Sequence, residues 1–243
     1  MKAFFVTGTD TGVGKTLVSV SLAAFFSLRM GLNVGVMKPF ETGLPVDRTE
    51  LFPCDAKSLK DASGSTDSLA VINPVTFEQP LAPETAAQLE RKAIDLAPID
   101  QVYQKIVRSH DITLVEGAGG ILVPILNGFF FADLIARWAL PTVVVSRLGL
   151  GTINHTLLTC RTLQAQGVKV IGVILNDADG TDDVAARTNP DMLRKYLNLP
   201  VLGVVPYLGA SERDRLDRNR LADIAAAHID TKLIYDGAVL QSP

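Results

Sequence analysis

Cysteine is nearly missing from this chain: Cys54 and Cys160 are the only two in 243 residues, and they form no C-x-x-C pair. That excludes a disulfide scaffold and a C-x-x-C redox or zinc motif, and a reducing, cytoplasmic setting is expected. Positive charge is no more abundant than negative. The 23 Lys and Arg against 26 Asp and Glu leave a net charge of −3 and no basic block, so nucleic acid has no electrostatic footprint here. An anionic ligand must be drawn in by a local site. Long apolar runs are lacking too, and nothing approaches the ~18 residues of a membrane span. Ala3 to Val6 follows a lysine, but it is too short for the apolar region of a signal peptide and runs straight into a glycine loop. Repeats and low-complexity linkers do not occur.

What is present is a globular composition. Hydrophobic residues make up 47% and charged residues 20%, enough for a sizeable core and too apolar for disorder. Short apolar runs alternate with helical periodicity, the pattern of βαβ units. The expected fold is one α/β domain over residues 1–243, a mostly parallel twisted sheet flanked by helices. Strands are predicted over Lys2–Thr7, Asn33–Met37, Ile112–Glu116, Thr142–Ser146, Lys169–Leu175 and Val201–Val205. Helices are predicted over Lys15–Met30, Ile99–Ser109, Phe131–Trp138, Thr152–Gln166 and Pro190–Leu197, with Gly31 and Gly167 as C-caps. The segment 44–98, rich in Pro and Ser, reads as short helices and loops over one side of a site. Residues 210–243 form a tail, and its charged stretch Ser211–Arg220 reads as a solvated face.

In such a sheet, ligands bind beyond the carboxyl ends of the strands. The most specific signal lies there. Phe4-Phe5-Val6-Thr7 leads into Gly8-Thr9-Asp10-Thr11-Gly12-Val13-Gly14-Lys15-Thr16: strand, glycine loop, helix start, the setting of a P-loop. The loop N–H groups and the positive end of the following helix suit phosphate. Lys15 is placed to reach the β/γ-phosphates and the Thr16 hydroxyl to ligate Mg²⁺. Five residues separate Gly8 from Gly14, one more than in G-x₄-G-K-[ST], and Thr9 stands at the usual first glycine.

A P-loop enzyme also needs an acid at another strand end. Glu116, closing an apolar strand and followed by Gly117-Ala118-Gly119-Gly120, supplies one. Asp55 reads either as a further ligand or as the N-cap of a helix beginning at Ala56. Lys38 ends the second strand, a point charge for a transferring phosphoryl group or a carboxylate, with Thr42 and Gly43 in the loop behind it. Asn176 offers an acceptor and two donors to an adenine edge, but it equally suits a turn. Asp177 and Asp179 beside it keep the choice between adenine and guanine open.

Taken in order, the 8–16 loop, Lys38-Pro39 with Thr42, Cys54-Asp55-Ala56, Asn73-Pro74-Val75-Thr76-Phe77, Val115-Glu116-Gly117-Ala118-Gly119-Gly120, Leu150-Gly151-Thr152-Ile153-Asn154-His155 and Asn176-Asp177 resemble the dethiobiotin synthetase family. The likeness spans about Phe5 to Leu208, and the longer loop spacing is itself that family's form. It implies an ATP- and Mg²⁺-dependent cyclo-ligase of biotin synthesis acting on 7,8-diaminononanoate and CO₂. It implies Lys38, Lys15 and Thr11 in catalysis, Thr16, Asp55 and Glu116 on metal, and Thr11 and Thr42 on the diamine. Nucleotide contacts would come from Gly12, Val13, Gly14, Lys15, Thr16, Leu17, Asp55, Glu116, Gly117, Ala118, Gly119, Asn176 and Asp177. Val205, Pro206 and Tyr207 would lie near the base.

The resemblance further implies a homodimer with the substrate site at the interface. The substrate carboxylate would rest on the helix start formed by Leu150, Gly151, Thr152, Ile153 and Asn154 of the neighbouring subunit. His155 reads instead as a partly buried packing residue. Three rivals share the P-loop. A partitioning-type ATPase carries an extra lysine where Asp10 stands. An amidation enzyme needs a glutaminase domain with a nucleophilic cysteine. A GTP switch reads its base with Asn-Lys-x-Asp rather than Asn-Asp.

Overall fold

The computed structural model describes residues 1–44, 54–180, 183–213 and 215–239. In chain order the elements are β1 (Lys2–Gly8), α1 (Lys15–Leu28), β2 (Val34–Met37), β3 (Phe40–Thr42), α2 (Asp55–Ser63), α3 (Leu69–Ile72), β4 (Val75–Phe77), α4 (Pro83–Glu90), α5 (Leu96–Ser109), β5 (Ile112–Gly120), β6 (Pro124–Leu126) and β7 (Phe129–Phe130). There follow α6 (Phe131–Arg137), β8 (Thr142–Arg147), α7 (Thr152–Ala165), β9 (Val170–Asn176), α8 (Val184–Tyr196), β10 (Val201–Val205), α9 (Ala210–Arg213), α10 (Arg218–His228) and α11 (Thr231–Gly237).

The six predicted strands make one sheet in the order β10-β9-β8-β1-β5-β2, with every neighbouring pair parallel. The expected α/β class is therefore the one found. Alternate residues of the apolar strands feed two cores, as a sheet covered on both faces requires. Phe4 and Val6 point towards Val18, Leu22 and Phe26 of α1. Ala3 and Phe5 point the other way, into the core that holds Tyr103, Leu134 and Leu163. The chain leaves β1 for β2 at one edge, returns through β5, then crosses to β8 on the other side. The loop after β1 thus lies where the strand order reverses, the usual place for a ligand. Gly31 and Gly167 adopt left-handed backbones at φ 66 and 74, as helix ends require.

Several elements differ from the sequence reading. β5 runs on to Gly120, because Gly120 pairs with Gly8 of the phosphate loop. The helix expected from Pro190 begins at Val184, where the Asp183 side chain accepts from Ala186 N at 2.6 Å. Pro190 therefore sits inside α8 and not at its first position. Past its charged opening, where Leu216 and Arg218 are half-buried, the tail is core and not surface: α10 buries Leu221, Ala222, Ile224 and Ala225 against α1. Within 44–98, residues 45–53 lie outside those described; the rest forms α2, α3, β4 and α4, and β4 pairs in parallel with β3.

Candidate active site

The loop after β1 wraps around Lys15. Its Nζ donates to Asp10 O at 3.0 Å, and the residue is only 7% exposed. Burial, with the neighbouring Lys38 charge, pushes Lys15 down to about 8. Gly14 holds φ 93, and Asn176 fills the space where a side chain would project. Asn176 Nδ2 donates to Val13 O at 3.0 Å, which props the loop from beneath. One of the two donors expected for a base is therefore spent on the loop. Asn176 Oδ1 is buried and takes no hydrogen bond from any described residue.

Beside the loop, Lys38 Nζ donates to Glu116 Oε1 at 2.6 Å, Asp55 Oδ2 at 2.7 Å and Gly117 O at 3.0 Å, which uses all three of its N–H bonds. Thr16 Oγ1 lies 3.0 Å from Asp55 Oδ1 and 2.9 Å from Glu116 Oε1, so its single proton serves one carboxylate at a time. Burial alone would push Lys38 down, but Glu116 and Asp55 outweigh it and raise its pKa. Burial opposes ionisation of Asp55 as well, yet the Lys38 charge and hydrogen bond hold its carboxyl below the usual range. Asp55 does not cap α2; it is the first helical residue, and the cap is Cys54, whose Sγ accepts from Lys57 N.

These oxygens are hard donors. Thr16 Oγ1 lies within hydrogen-bonding distance of both Asp55 and Glu116, and Glu116 Oε2 is buried with no partner among the described residues. No closed group of three His, Cys, Asp or Glu forms a metal cage among the described residues. Two carboxylates and a hydroxyl are the kind of partial oxygen set that suits Mg²⁺ alongside phosphate oxygens and water.

Two chambers meet at Gly12, Gly14 and Thr16. The larger, about 900 Å³, runs past Thr11, Lys15, Lys38, Thr42 and Asp55 to Ala118 and Gly119. The smaller, about 360 Å³, is lined by Leu17, Asn176, Asp177, Leu208, Arg213 and Leu216. The charged side chains Lys15, Lys38, Glu41 and Asp55 line the larger chamber, and the second chamber is the more apolar, a shape for phosphates flanked by an acceptor substrate and a base. Of the residues expected near the base, Val205 is buried in the core, and Pro206 and Tyr207 do not line the chamber. Leu208, Arg213 and Leu216 line that chamber instead.

The start of α7 is not part of either chamber. Leu150 is 85% exposed, and Gly151 sits at φ 93. Thr152 turns its hydroxyl inward to Ser146 Oγ at 2.6 Å, and Ser146 in turn meets Thr9 Oγ1 of the phosphate loop at 3.2 Å. The Thr152 side chain is therefore spent inside the protein. His155 is exposed rather than packed, which corrects the expectation for it.

Sequence reasoning missed Glu41. It is 5% exposed, lines the larger chamber, and accepts from Asp55 N at 2.6 Å and Ala56 N at 3.3 Å. Burial and the Asp55 charge raise its pKa against the pull of Lys38 and these N–H groups. The signal was a lone acid between Phe40 and Thr42 on a three-residue strand, which reads as a surface position. Leu44, Pro80, Leu81 and Pro83 also line this chamber; only the path of the chain brings them there.

A parallel sheet with this loop at its reversal point and a lysine between two carboxylates defines a P-loop nucleotide-binding protein. A family model described as an AAA domain matches residues 2–215. Solved structures share the fold: the MinC:MinD cell division protein complex of Aquifex aeolicus (TM-score 0.55, 16% identity, 98% of this chain and 94% of that one). A ParA family ATPase of Chlorobium tepidum is alike (TM-score 0.55, 15% identity, 98% of each chain). Identity is far higher to the ATP-dependent dethiobiotin synthetase BioD of Bacillus velezensis, 41% over 230 residues and 95% of both chains. That of Thermodesulfovibrio yellowstonii is 39% identical over 225 residues, 89% of this chain and 93% of the relative. The chain belongs to the ATP-dependent dethiobiotin synthetase family.

Proposed function

We propose that this chain closes the ureido ring of dethiobiotin from 7,8-diaminononanoate, CO₂ and ATP. The observation that carries the reading is Lys38, held between Glu116 and Asp55 where the phosphate loop meets the larger chamber. One substrate amine adds to CO₂ and loses a proton, giving a carbamate. A carbamate oxygen attacks the γ-phosphorus and ADP leaves. The second amine then attacks the carbonyl carbon and phosphate departs.

Both partners in the phosphoryl step are anions, so their approach must be offset by fixed positive charge. Lys15 and Lys38 supply it, with the N–H groups of Gly12 to Leu17. Thr11 and Thr42 face the chamber that would hold the diamine and orient it. Thr16, Asp55 and Glu116 would hold Mg²⁺, which when bound neutralises phosphate charge and polarises the transferring group. Glu116–Gly119 would lie against the phosphates. Asn176 Oδ1, an acceptor without a donor, suits the exocyclic amine of adenine. Asp177 Oδ1 already accepts from Gly180 N at 2.8 Å and shapes the rim of the same chamber.

The start of α7 would meet a substrate carboxylate from across a two-fold homodimer, because its residues line neither chamber of their own subunit. Among the described residues no helix is long and apolar enough to cross a membrane. The partitioning-type ATPase reading is disfavoured by Asp10, which stands where that class carries its extra lysine.

Phosphate release with ATP, bicarbonate and the diamine, each omitted in turn, tests the assignment. Release should require all three. Hydrolysis that ignores the diamine would favour the switch protein.

A further inference from the structure

We infer that Glu41 is a positioning residue for Asp55: its buried carboxylate clasps the first N–H groups of α2 and thereby fixes where Asp55 presents its own. This rests on the reading of Asp55 as a metal ligand. Glu41 Oε1 accepts from Asp55 N at 2.6 Å, and Oε2 accepts from Ala56 N at 3.3 Å. The next N–H, of Lys57, goes to Cys54 Sγ at 3.4 Å. A carboxylate at the positive end of a helix is stabilised there, and its charge-assisted bonds are short and directional.

Asp55 has need of such a support. Its side chain is 38% exposed, so packing alone does not fix its direction. The other end of α2 is anchored as well. Arg218 Nε donates to Ala62 O at 3.0 Å and Nη2 to Ser63 O at 3.2 Å, satisfying carbonyls at the helix end. The helix carrying Asp55 is therefore held by opposite charges at its two ends, each complementing the helix dipole. Both Glu41 oxygens already accept main-chain N–H groups, which commits the residue to the helix although it lines the chamber.

The test uses full-length Glu41→Gln and Glu41→Ala, with Mn²⁺ counted by electron paramagnetic resonance in the presence of a non-hydrolysable imido analogue of ATP. Outer-shell partners of metal ligands are worth roughly 10–100-fold in affinity, so Mn²⁺ binding should weaken about tenfold in Glu41→Gln and further in Glu41→Ala. The Mg²⁺ concentration for half-maximal turnover should rise in parallel, while the KM for the diamine stays within about twofold. Glu41→Gln keeps the volume and one acceptor, so circular dichroism should match the parent. Unchanged Mn²⁺ affinity with a raised diamine KM would assign Glu41 to the substrate and overturn the inference. Lower thermal stability with unchanged Mn²⁺ affinity would reduce it to a helix cap. Asp55→Asn is measured alongside: if it leaves Mn²⁺ binding intact, the metal reading of Asp55 fails on its own account and removes the basis for Glu41.

Discussion

Lys38 Nζ stands 2.6 Å from Glu116 Oε1, and both side chains are shut off from solvent. Neither charge is tolerable there alone. Breaking a buried pair by removing one partner costs about 3–5 kcal/mol, because the other is left desolvated without compensation. On the proposed function, the same ammonium that neutralises Glu116 and Asp55 is the one that would serve the γ-phosphate.

Lys38→Ala should therefore separate binding from chemistry. Turnover is expected to fall by about 10²-fold or more, the scale of losing one electrostatic stabiliser, while ATP affinity changes little. Thermal unfolding should move lower and be restored in part by Mg²⁺, which would replace the missing positive charge. Single-turnover kinetics and nucleotide titration check the split. Equal loss of both would show that Lys38 binds ATP rather than driving transfer.

Asn176 is predicted to act on the loop and the base together. Asn176→Asp turns the Nδ2 donor to Val13 O into an oxygen facing an oxygen. An unmade buried hydrogen bond costs about 1–3 kcal/mol, so the KM for ATP should rise by roughly 5- to 150-fold. With kcat largely retained, steady-state kinetics would show a loss confined to nucleotide binding. A kcat loss without a KM change would contradict the placement.

Asn154→Asp tests the helix start. An acid in the first turn favours the helix itself, so stability should hold or rise. A substrate carboxylate at the same N–H groups would be repelled, and the diamine KM should rise about tenfold, the scale of one lost charge-assisted contact. Mixing this variant with Lys38→Ala gives heterodimers in which one site carries both faults and the other neither. Activity should recover to about a quarter of the parent's if each site draws on both subunits, as two-fold sharing requires. No recovery on mixing would place the helix start in its own subunit's site.

The two thiols should differ in reactivity. Cys160 is 1% exposed, and burial pushes it up to about 12, so it stays a thiol and out of reach at pH 8. Cys54 is only half-buried and lines the larger chamber. Iodoacetamide at pH 8 should label Cys54 alone, as read by peptide mass spectrometry. Labelling of Cys160 at a matching rate would mean that α7 opens readily in the native protein.

Much of the site was legible because it is local. Residues 8–16 are contiguous, and strand, glycine loop and helix start follow one another with no help from distant chain. Glu116 and Lys38 were legible for a related reason: each stands where the apolar run of a buried strand gives out, and such positions in a parallel sheet share one edge. Pro190 misled, because a proline reads as a helix start, while the cap at Asp183 lies seven residues earlier. The tail misled too, since its charged opening hides the apolar stripe of Leu221, Ala222, Ile224 and Ala225.

By itself, the sequence determined the phosphate loop, the parallel sheet and the family, because each is written in short contiguous patterns whose physics is local. Tertiary structure alone decided which charges meet. Lys38 and Glu116 are 78 residues apart, Glu41 and Asp55 14. Glu41 becomes a helix anchor, Arg218 its counterpart at the other end, and Leu208, Arg213 and Leu216 a chamber wall only when the chain returns over itself. A buried charge has no meaning without its partner, and partners are chosen by folding.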